Sequence, residues 1–152
     1  MSNTHSGPIL IVGTGDTKRE ELEFLRDRVT ASGMRAVTVD VGIRSSGEGA
    51  DFGPRDVASH HPQNGAILEG DDRGEAVTAM GDALIAFFNR QAHIGGVLGF
   101  GGSGGTAIIA PAMQSLAIGI PKVLVSTLAS GDVRPYVGPT DICMMYSVTD
   151  LA

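Results

Sequence analysis

The sequence predicts an α/β fold: an open, mostly parallel sheet of the Rossmann-like or flavodoxin-like kind, with helices on both faces in three layers. Short apolar runs of Val, Ile and Leu recur along the chain, which is typical of strands buried on both faces of a parallel sheet. Stretches with apolar residues at helical spacing separate these runs. Polar, glycine-rich turns follow several runs, so the repeating order is strand, turn and helix.

The first 41 residues predict a strand, a helix and a second strand. Residues 8–12 are a continuous apolar run, as expected of a central strand. Residues 17–20 match a capping box, with Thr17 as the N-cap, and the helix that follows runs to about Ser32. Residues 35–41 are rich in β-branched side chains and predict the second strand.

The middle of the chain predicts a long loop and a second helix. Residues 42–72 are dominated by Gly, Ser, His, Asp and Pro, so we expect a functional or mobile loop. Residues 73–92 carry apolar side chains at helical spacing, including Phe87 and Phe88. An interaction module, such as a homodimer that uses this helix or the 42–72 loop, is one open hypothesis.

Three further strands are predicted, at 94–98, 121–126 and 141–147. A helix follows the first of them, and Pro111 should kink or shorten it. The sequence stops just after the last strand, where such a fold would begin another helix. We therefore expect residues 1–152 to be one α/β domain within a longer protein.

The composition excludes several classes of function. The net charge of −6 and the 5% of aromatic residues argue against nucleic-acid binding, which uses basic surfaces and aromatic stacking. No apolar run approaches the roughly 18 residues of a membrane span, and the N-terminus lacks the apolar core of a signal peptide. Cys143 is the single cysteine and lies in an apolar run, so we expect it to be buried and inert in a cytoplasmic protein.

Three loops rich in hydrogen-bond donors follow the first, third and fourth strands. Ligands of open α/β sheets bind at the carboxyl ends of the strands, so a strand order of 2-1-3-4-5 would bring these loops together. Backbone amides and hydroxyls of this kind suit phosphate oxygens. The predicted binding residues are Thr14, Gly15, Asp16, Thr17, Lys18, Gly101, Gly102, Ser103, Gly104, Gly105, Thr106, Ser126, Thr127, Ser130 and Gly131.

The glycine-rich stretch at 99–106 departs from three standard phosphate loops. It contains G-x-G-x-x-G, but no carboxylate appears at the end of the next strand before Asp132, so a dinucleotide ranks below other phosphate ligands. The lysine of a Walker A loop is missing before Thr106, which excludes P-loop chemistry. The stretch also lacks the aspartate of the Gly-Gly-Asp-Gly-Thr loops in phosphofructokinase-like proteins.

Several side chains have competing interpretations. Asp16 is either a ligand of phosphate-bound Mg²⁺ or a helix-cap acid. Asp40 ends the second strand, and a surface turn acid is favoured there over a ribose acceptor. Residues 101–105 have the Gly-x-Ser-x-Gly pattern of a nucleophile elbow, which would make Ser103 a nucleophile served by a histidine of the pair at 60–61. Beside the nearby aspartates, that pair indicates a solvated loop rather than a metal site.

The sequence resembles an uncharacterised protein family that includes the tomato mosaic virus resistance protein. The resemblance rests on residues 94–106, 118–123 and 126–131, with further matches at 16–22, 73–77 and 147–150. It implies that residues 1–152 are a Rossmann-like, ATP-binding domain at the N-terminus of a longer, two-domain protein. Mg²⁺ is expected with the nucleotide through Asp16. Because the family has no agreed activity, the resemblance implies a ligand rather than a reaction. An enzyme acting on a small phosphorylated or carboxylated metabolite, completed by a C-terminal domain, is the alternative.

Overall fold

Five strands form one parallel sheet in the computed structural model, which describes residues 7–147. The strands are β1 (Ile9–Gly13), β2 (Ala36–Asp40), β3 (Gly96–Gly101), β4 (Lys122–Ser126) and β5 (Cys143–Tyr146). Their order in the sheet is β2-β1-β3-β4-β5, and every neighbouring pair is parallel. The predicted α/β fold class is therefore confirmed. The observed strand order is the one under which the three donor-rich loops lie at the same edge of the sheet.

Helices cover the sheet on both faces. They are α1 (Arg19–Ala31), α2 (Pro54–Ala58), α3 (Arg73–Asn89), α4 (Ser103–Gln114) and α5 (Arg134–Val137), with 3₁₀ turns at Asn64–Leu68 and Thr127–Ser130. The crossover from β1 to β2 runs in one direction along the sheet, and those from β2 to β3 and β3 to β4 run in the other. Right-handed crossovers in opposite directions lie on opposite faces. Of the helices that the structure describes, α1 therefore packs on one face, and α3 and α4 pack together on the other.

The two faces bury unequal cores. The larger core lies between the sheet and the α3–α4 layer and includes Phe87 and Phe88, each 1% exposed. These phenylalanines are core residues, so any contact that a partner made with α3 would use other side chains of the helix. The smaller core is built on Ile11, Leu22 and Phe100 beneath α1.

The segment at 42–72 is more ordered than its composition predicts. It contains α2 and a 3₁₀ turn, and Val57 and Ala58 are fully buried. Its Phe52 accepts a hydrogen bond from the N–H of Asp40 (2.8 Å) and donates one to the carbonyl of Thr38 (3.0 Å). The segment thereby covers the outer edge of β2. Elements of five residues are too short to show a helical period, which is why the sequence indicated only a loop.

Three local expectations also require correction. The N-cap of α1 is Lys18 rather than Thr17, and no side chain caps the helix; the hydroxyl of Thr17 instead lies 3.0 Å from that of Thr14. Cys143 is exposed, not buried. The α4 helix begins at Ser103, earlier than expected, and continues past the proline at 111 to Gln114.

A buried lysine fastens the start of β4. The Lys122 ammonium donates to an Asp141 carboxylate oxygen at 2.7 Å and to the carbonyls of Ala117 and Ile120 at 2.8 Å. These bonds satisfy all three ammonium protons of a side chain that is fully buried. The hydrogen bond from Lys122, with a second from the N–H of Gly119, holds the pKa of Asp141 below its ordinary value.

No helix in the 7–147 range is long and apolar enough to cross a membrane. The end of the 147–150 motif and the stop of the sequence after the last strand fall at residues 148–152, outside the described range.

Candidate functional site

The glycine-rich stretch at 99–106 is a strand end joined to a helix start, not a loop. β3 ends at Gly101, Gly102 is the N-cap residue in extended conformation, and α4 begins at Ser103. One residue therefore separates the strand from the helix. The N–H groups in the first turn of an α-helix have no carbonyl partner within the helix. Those of α4 point to the carboxyl edge of the sheet, where its positive dipole end favours an anion.

Two of the glycines allow the helix to approach the strand. None of the glycines in this stretch has a positive φ, so left-handed backbone does not explain them. A Cβ on Gly99 would lie 2.7 Å from Ile109 Cγ2, and one on Gly101 would lie 3.0 Å from the Cα of Gly105. A side chain at either strand position would push α4 away from β3.

Two further glycines, Gly102 and Gly104, leave the helix start open to a ligand. A Cβ on Gly102 would come no closer than 3.9 Å to any neighbour, here Thr127 Oγ1. A Cβ on Gly104 would lie 3.5 Å from Arg73 Nη2, which is ordinary contact. Packing within the protein therefore does not require glycine at either position.

The first loop is held in place by a buried carboxylate. Asp40 is 2% exposed, and one of its oxygens accepts hydrogen bonds from the N–H groups of Gly15 (2.7 Å) and Gly42 (2.8 Å). Its other oxygen accepts a hydrogen bond from the Ser45 hydroxyl. The expectation of a surface turn acid is therefore wrong, because the carboxylate is enclosed by the two turns that it joins. A Cβ on Gly15 would stand 2.2 Å from Asp40 Oδ2, so this position needs glycine.

Asp16 joins the same two turns from the solvent side. Its Oδ2 accepts a hydrogen bond from the N–H of Arg44 at 3.3 Å. Asp16 is exposed and precedes the N-cap of α1 by two positions, so it is not the residue that caps the helix. The carboxylate keeps unused acceptor capacity at the edge of the sheet, where a cation or a ligand hydroxyl could meet it.

The third loop contributes a buried hydroxyl pair. Thr106 and Ser126 are both fully buried, and their hydroxyl oxygens lie 2.6 Å apart. The Ser126 oxygen also accepts the N–H of Leu128 at 3.1 Å, which starts the 3₁₀ turn after β4. The pair ties α4 to β4 behind the site. On the outer side of this turn, the exposed Ser130 hydroxyl donates to the carbonyl of Thr127 at 3.3 Å.

The three loops border an open cleft of about 940 Å³ at the carboxyl edge of the sheet. The cleft is lined by Thr14, Asp16, Thr17, Lys18, Ile43, Arg44, Arg73, Val77, Gly102, Ser103, Gly104, Gly105, Ile108, Thr127 and Leu128. Nine of these were predicted from the sequence. The other predicted residues lie behind the lining or beside it: Gly15, Gly101, Thr106, Ser126, Ser130 and Gly131.

Sequence reasoning missed the two arginines of the cleft. Within residues 7–147, the guanidinium groups of Arg44 and Arg73 form no ion pair. Arg73 is the first residue of α3, where the helix dipole disfavours a cation. That unfavourable placement was the available signal for Arg73. Arg44 lies in the 42–72 segment, whose course could not be read from its composition.

Four apolar side chains also line the cleft, and we refer to them together as the apolar wall. Ile43, Val77, Ile108 and Leu128 line the cleft together with the donors. The sequence did not indicate this group, because its four side chains come from four separate segments that meet only in the folded domain. A cleft lined by both apolar side chains and hydrogen-bond donors suits an anionic ligand that also carries an apolar part.

The nucleophile-elbow interpretation of Ser103 lacks its structural features. An elbow holds its serine in strained backbone, but the positive-φ residue other than glycine among residues 7–147 is Asn64, not Ser103. The His60 ring packs edge-on against Phe87 at 5.3 Å, and neither His60 nor His61 lines the cleft. Within the described range, no group of three or more His, Cys, Asp or Glu side chains could hold a metal ion by itself.

Comparison with known proteins places the chain among uncharacterised relatives. Residues 7–152 match the model described as the N-terminal domain of the uncharacterised protein family UPF0261. The chain is 50% identical over 145 residues to a UPF0261 protein of Mesorhizobium japonicum, covering 95% of the chain and 36% of that protein. It is 40% identical to a UPF0261 protein of Clostridium tetani, covering 95% of the chain and 37% of the relative.

A plant protein is similar to the chain as well. The ToMV resistance protein Tm-1(GCR237) of Solanum lycopersicum is 35% identical over 170 residues, covering 99% of the chain and 22% of the plant protein. The chain thus spans roughly a third of the bacterial relatives and less of the plant one.

Proposed function

The chain belongs to the UPF0261 family, whose N-terminal domain model it matches almost throughout, and on that premise we propose that it is a nucleotide-binding domain that holds ATP in the 940 Å³ cleft. One observation carries the proposal. The start of α4 and two guanidinium groups without an ion pair meet at one sheet edge of a chain whose net charge is −6. Such a local concentration of positive charge in an acidic protein favours a multiply charged anion.

The phosphates would lie against the first turn of α4. Gly102 and Gly104 have no side chains to block the amides, and Arg73 reaches over Gly104. Arg44 and Lys18 line the cleft nearby. Amide and guanidinium donors of this kind form charge-assisted hydrogen bonds with phosphate oxygens, which are stronger than neutral ones.

The apolar wall supports a nucleotide rather than a simple phosphate. Inorganic phosphate would use the donors and leave Ile43, Val77, Ile108 and Leu128 against water. An adenine ring can cover such side chains and remove apolar area from solvent. The family resemblance points to ATP among the nucleotides.

Mg²⁺ would enter with the nucleotide. Magnesium in nucleotide sites is held by one or two carboxylates, by phosphate oxygens and by water, rather than by a full protein cage. Asp16 is the carboxylate of the cleft, and it keeps acceptor capacity beyond its bond to the N–H of Arg44. The donor set therefore fits a magnesium ion that the phosphates share.

Titration calorimetry with the folded chain tests the proposal. We expect ATP with Mg²⁺ to bind, ADP and AMP to bind progressively more weakly, and added salt to weaken all three. Pyrophosphate should bind less tightly than ATP because it cannot use the apolar wall. A folded chain that gives no heat with any nucleotide would remove the proposal.

A matched pair of arginine variants locates the site. Arg73→Gln should weaken ATP binding, whereas Arg90→Gln, at the opposite end of α3, should leave it unchanged. The helix has 17 residues, so the two positions are roughly 25 Å apart. If both variants bind ATP as the unaltered chain does, the nucleotide does not occupy this cleft.

The alternative function is a part of an enzyme that acts on a small phosphorylated or carboxylated metabolite. The same donors would hold its anionic group, and residues from a further domain would complete the chemistry. Binding of such a metabolite in competition with ATP, and its turnover by a longer family member, would favour this alternative.

A further inference from the structure

Among residues 7–147, no helix covers one half of one sheet face, and that half is apolar. Residues paired in register across parallel strands share a face. The pairs link Leu98 to Val123, Val123 to Cys143, and Val125 to Met145. We call these five residues the open half-face. It lies on the same side of the sheet as α1, which packs chiefly on β1 and β2. Phe100 of β3 belongs to the core beneath α1, and Val125 packs against that core.

Exposure rises across this surface toward the sheet edge. Phe100, beneath α1, is 5% exposed, whereas Met145 on β5 is 55% exposed and Cys143 is exposed as well. Leu98 and Val123 are half-buried, yet within the described residues they belong to neither apolar cluster. An apolar strip that continues directly from a buried core and ends in solvent is typical of an interaction site.

The dimensions of the open half-face match one helix. Three strands spaced about 4.8 Å apart span roughly 10 Å, which is about the diameter of an α-helix with its side chains. The strands are four to six residues long, so an amphipathic helix of three or four turns would cover them.

The position of β5 indicates where that helix comes from. A chain that leaves the carboxyl end of a parallel strand usually returns as a helix packed against a face of the sheet. The opposite face at this end is already occupied, because α4 packs on β4 and α5 packs on α4. The open half-face is the remaining place beside β5. The bacterial relatives also continue well past the matched region, since the chain covers only 36% or 37% of them.

We propose that the open half-face is the docking site of an amphipathic helix supplied by the polypeptide that follows this region in the longer family members. The apolar face of that helix packs on Leu98, Val125 and Met145, beside α1. The proposal is independent of nucleotide binding.

The single cysteine of the chain reports on this surface. The experiment compares thiol labelling of the 152-residue chain with that of the same chain extended by the remainder of the Mesorhizobium japonicum relative. Cys143 should react as an exposed thiol in the chain alone and at least ten times more slowly in the extended protein. The control carries Cys143→Ser with Asn89→Cys, on the opposite face at the end of α3. Its labelling should be equally fast in both proteins.

Two results would overturn the proposal. One is equal labelling of Cys143 in the two folded proteins. The other is protection in the 152-residue chain itself that rises with protein concentration and accompanies dimers in sedimentation, which would assign the surface to a second copy.

A second measurement does not require the extended protein. Amide hydrogen exchange of the strands equivalent to β4 and β5 is measured in the intact Mesorhizobium relative and in this chain. The covered strands should show higher protection factors in the intact relative. Equal protection would contradict the proposal.

Discussion

Replacing Gly104 by alanine should raise the stability of the protein while lowering its affinity for ATP. Gly104 lies in the first turn of α4 without a positive φ. Its added Cβ would meet Arg73 Nη2 at 3.5 Å, an ordinary contact. Alanine at a compatible position reduces the freedom of the unfolded chain and stabilises by about 0.4–1 kcal/mol. For a domain of this size, that corresponds to a rise in Tm of roughly 1–4 °C.

The same methyl group should obstruct the phosphates. It would stand at the helix start, where an oxygen must approach within about 3 Å of the amides. A hydrogen bond to a charged group contributes about 1.5–3 kcal/mol, so losing one should weaken ATP binding roughly 10- to 150-fold. Stability and affinity therefore change in opposite directions, which general damage to the fold cannot produce.

Gly99→Ala is the matched control. It adds the same methyl group in the same glycine-rich stretch, but at a position where the methyl meets packed side chains. A Cβ there would lie 2.7 Å from Ile109 Cγ2 and 2.9 Å from Met113 Cε. Overpacking of this kind costs about 1–3 kcal/mol. We expect a lower Tm with a much smaller change in ATP affinity, measured on the folded fraction.

Thermal melts with and without ATP, together with titration calorimetry, measure both quantities. If Gly104→Ala binds ATP as tightly as the unaltered chain, the phosphates do not lie on the first turn of α4. If its Tm falls instead of rising, the packing argument for this glycine is wrong.

Three further predictions concern charged side chains. Arg73→Gln should weaken ATP binding about tenfold or more. Its Tm should not change, because the side chain is exposed. Calorimetry at low and high salt should show that its ATP affinity depends less on salt than that of the unaltered chain. Asp40→Ala should lower the free energy of unfolding by about 1–3 kcal/mol for each buried amide that it leaves without an acceptor, beginning with that of Gly15. Urea denaturation measures this free energy. Asp40→Asn keeps one carbonyl oxygen, so its free energy of unfolding should fall by less. Asp141→Asn should lower the Tm at neutral pH because it weakens the partner of buried Lys122, and the difference should shrink below about pH 4.

The sign of the last prediction follows from the pKa of Asp141. Its pKa is lowered in the folded chain, so the unfolded chain binds the proton more readily. The stabilisation is complete above the unfolded pKa and is lost as the pH falls through the folded value. A Tm difference that stays constant from pH 7 to pH 3 would contradict this reasoning.

The strands were predicted correctly because the pattern that indicates each of them lies within one short stretch of the chain. Each strand is a short apolar run, and burial on both faces requires such a run whatever the neighbours are. The α/β fold class and the positions of the strands therefore followed from the sequence. The helical pieces of the 42–72 segment were not predicted. Each has five residues, which is too short for a helical hydrophobic period, and the segment is held in place by burial of residues such as Val57 and Ala58.

Cys143 shows a different limit. An apolar run on a strand predicts burial, but burial also needs a partner layer above the strand. β5 is the edge strand, and α1 does not extend over it, so the thiol is exposed. The residues of β5 do not themselves indicate whether a helix from elsewhere in the chain will cover the strand.

The sequence by itself determined the five strands, the three longest helices and the three donor-rich loops that follow three strands, because these properties depend on spacing along the chain. Only the tertiary structure decided what those residues do. Folding buried Asp40 as a clamp for the first loop and turned the hydroxyls of Thr106 and Ser126 toward each other. It also divided the glycines at 99–106 between helix packing and an open helix start, and brought Arg44 and Arg73 to the cleft. The physical reason is that burial and contact join residues far apart in sequence, and spacing along the chain does not encode those distances.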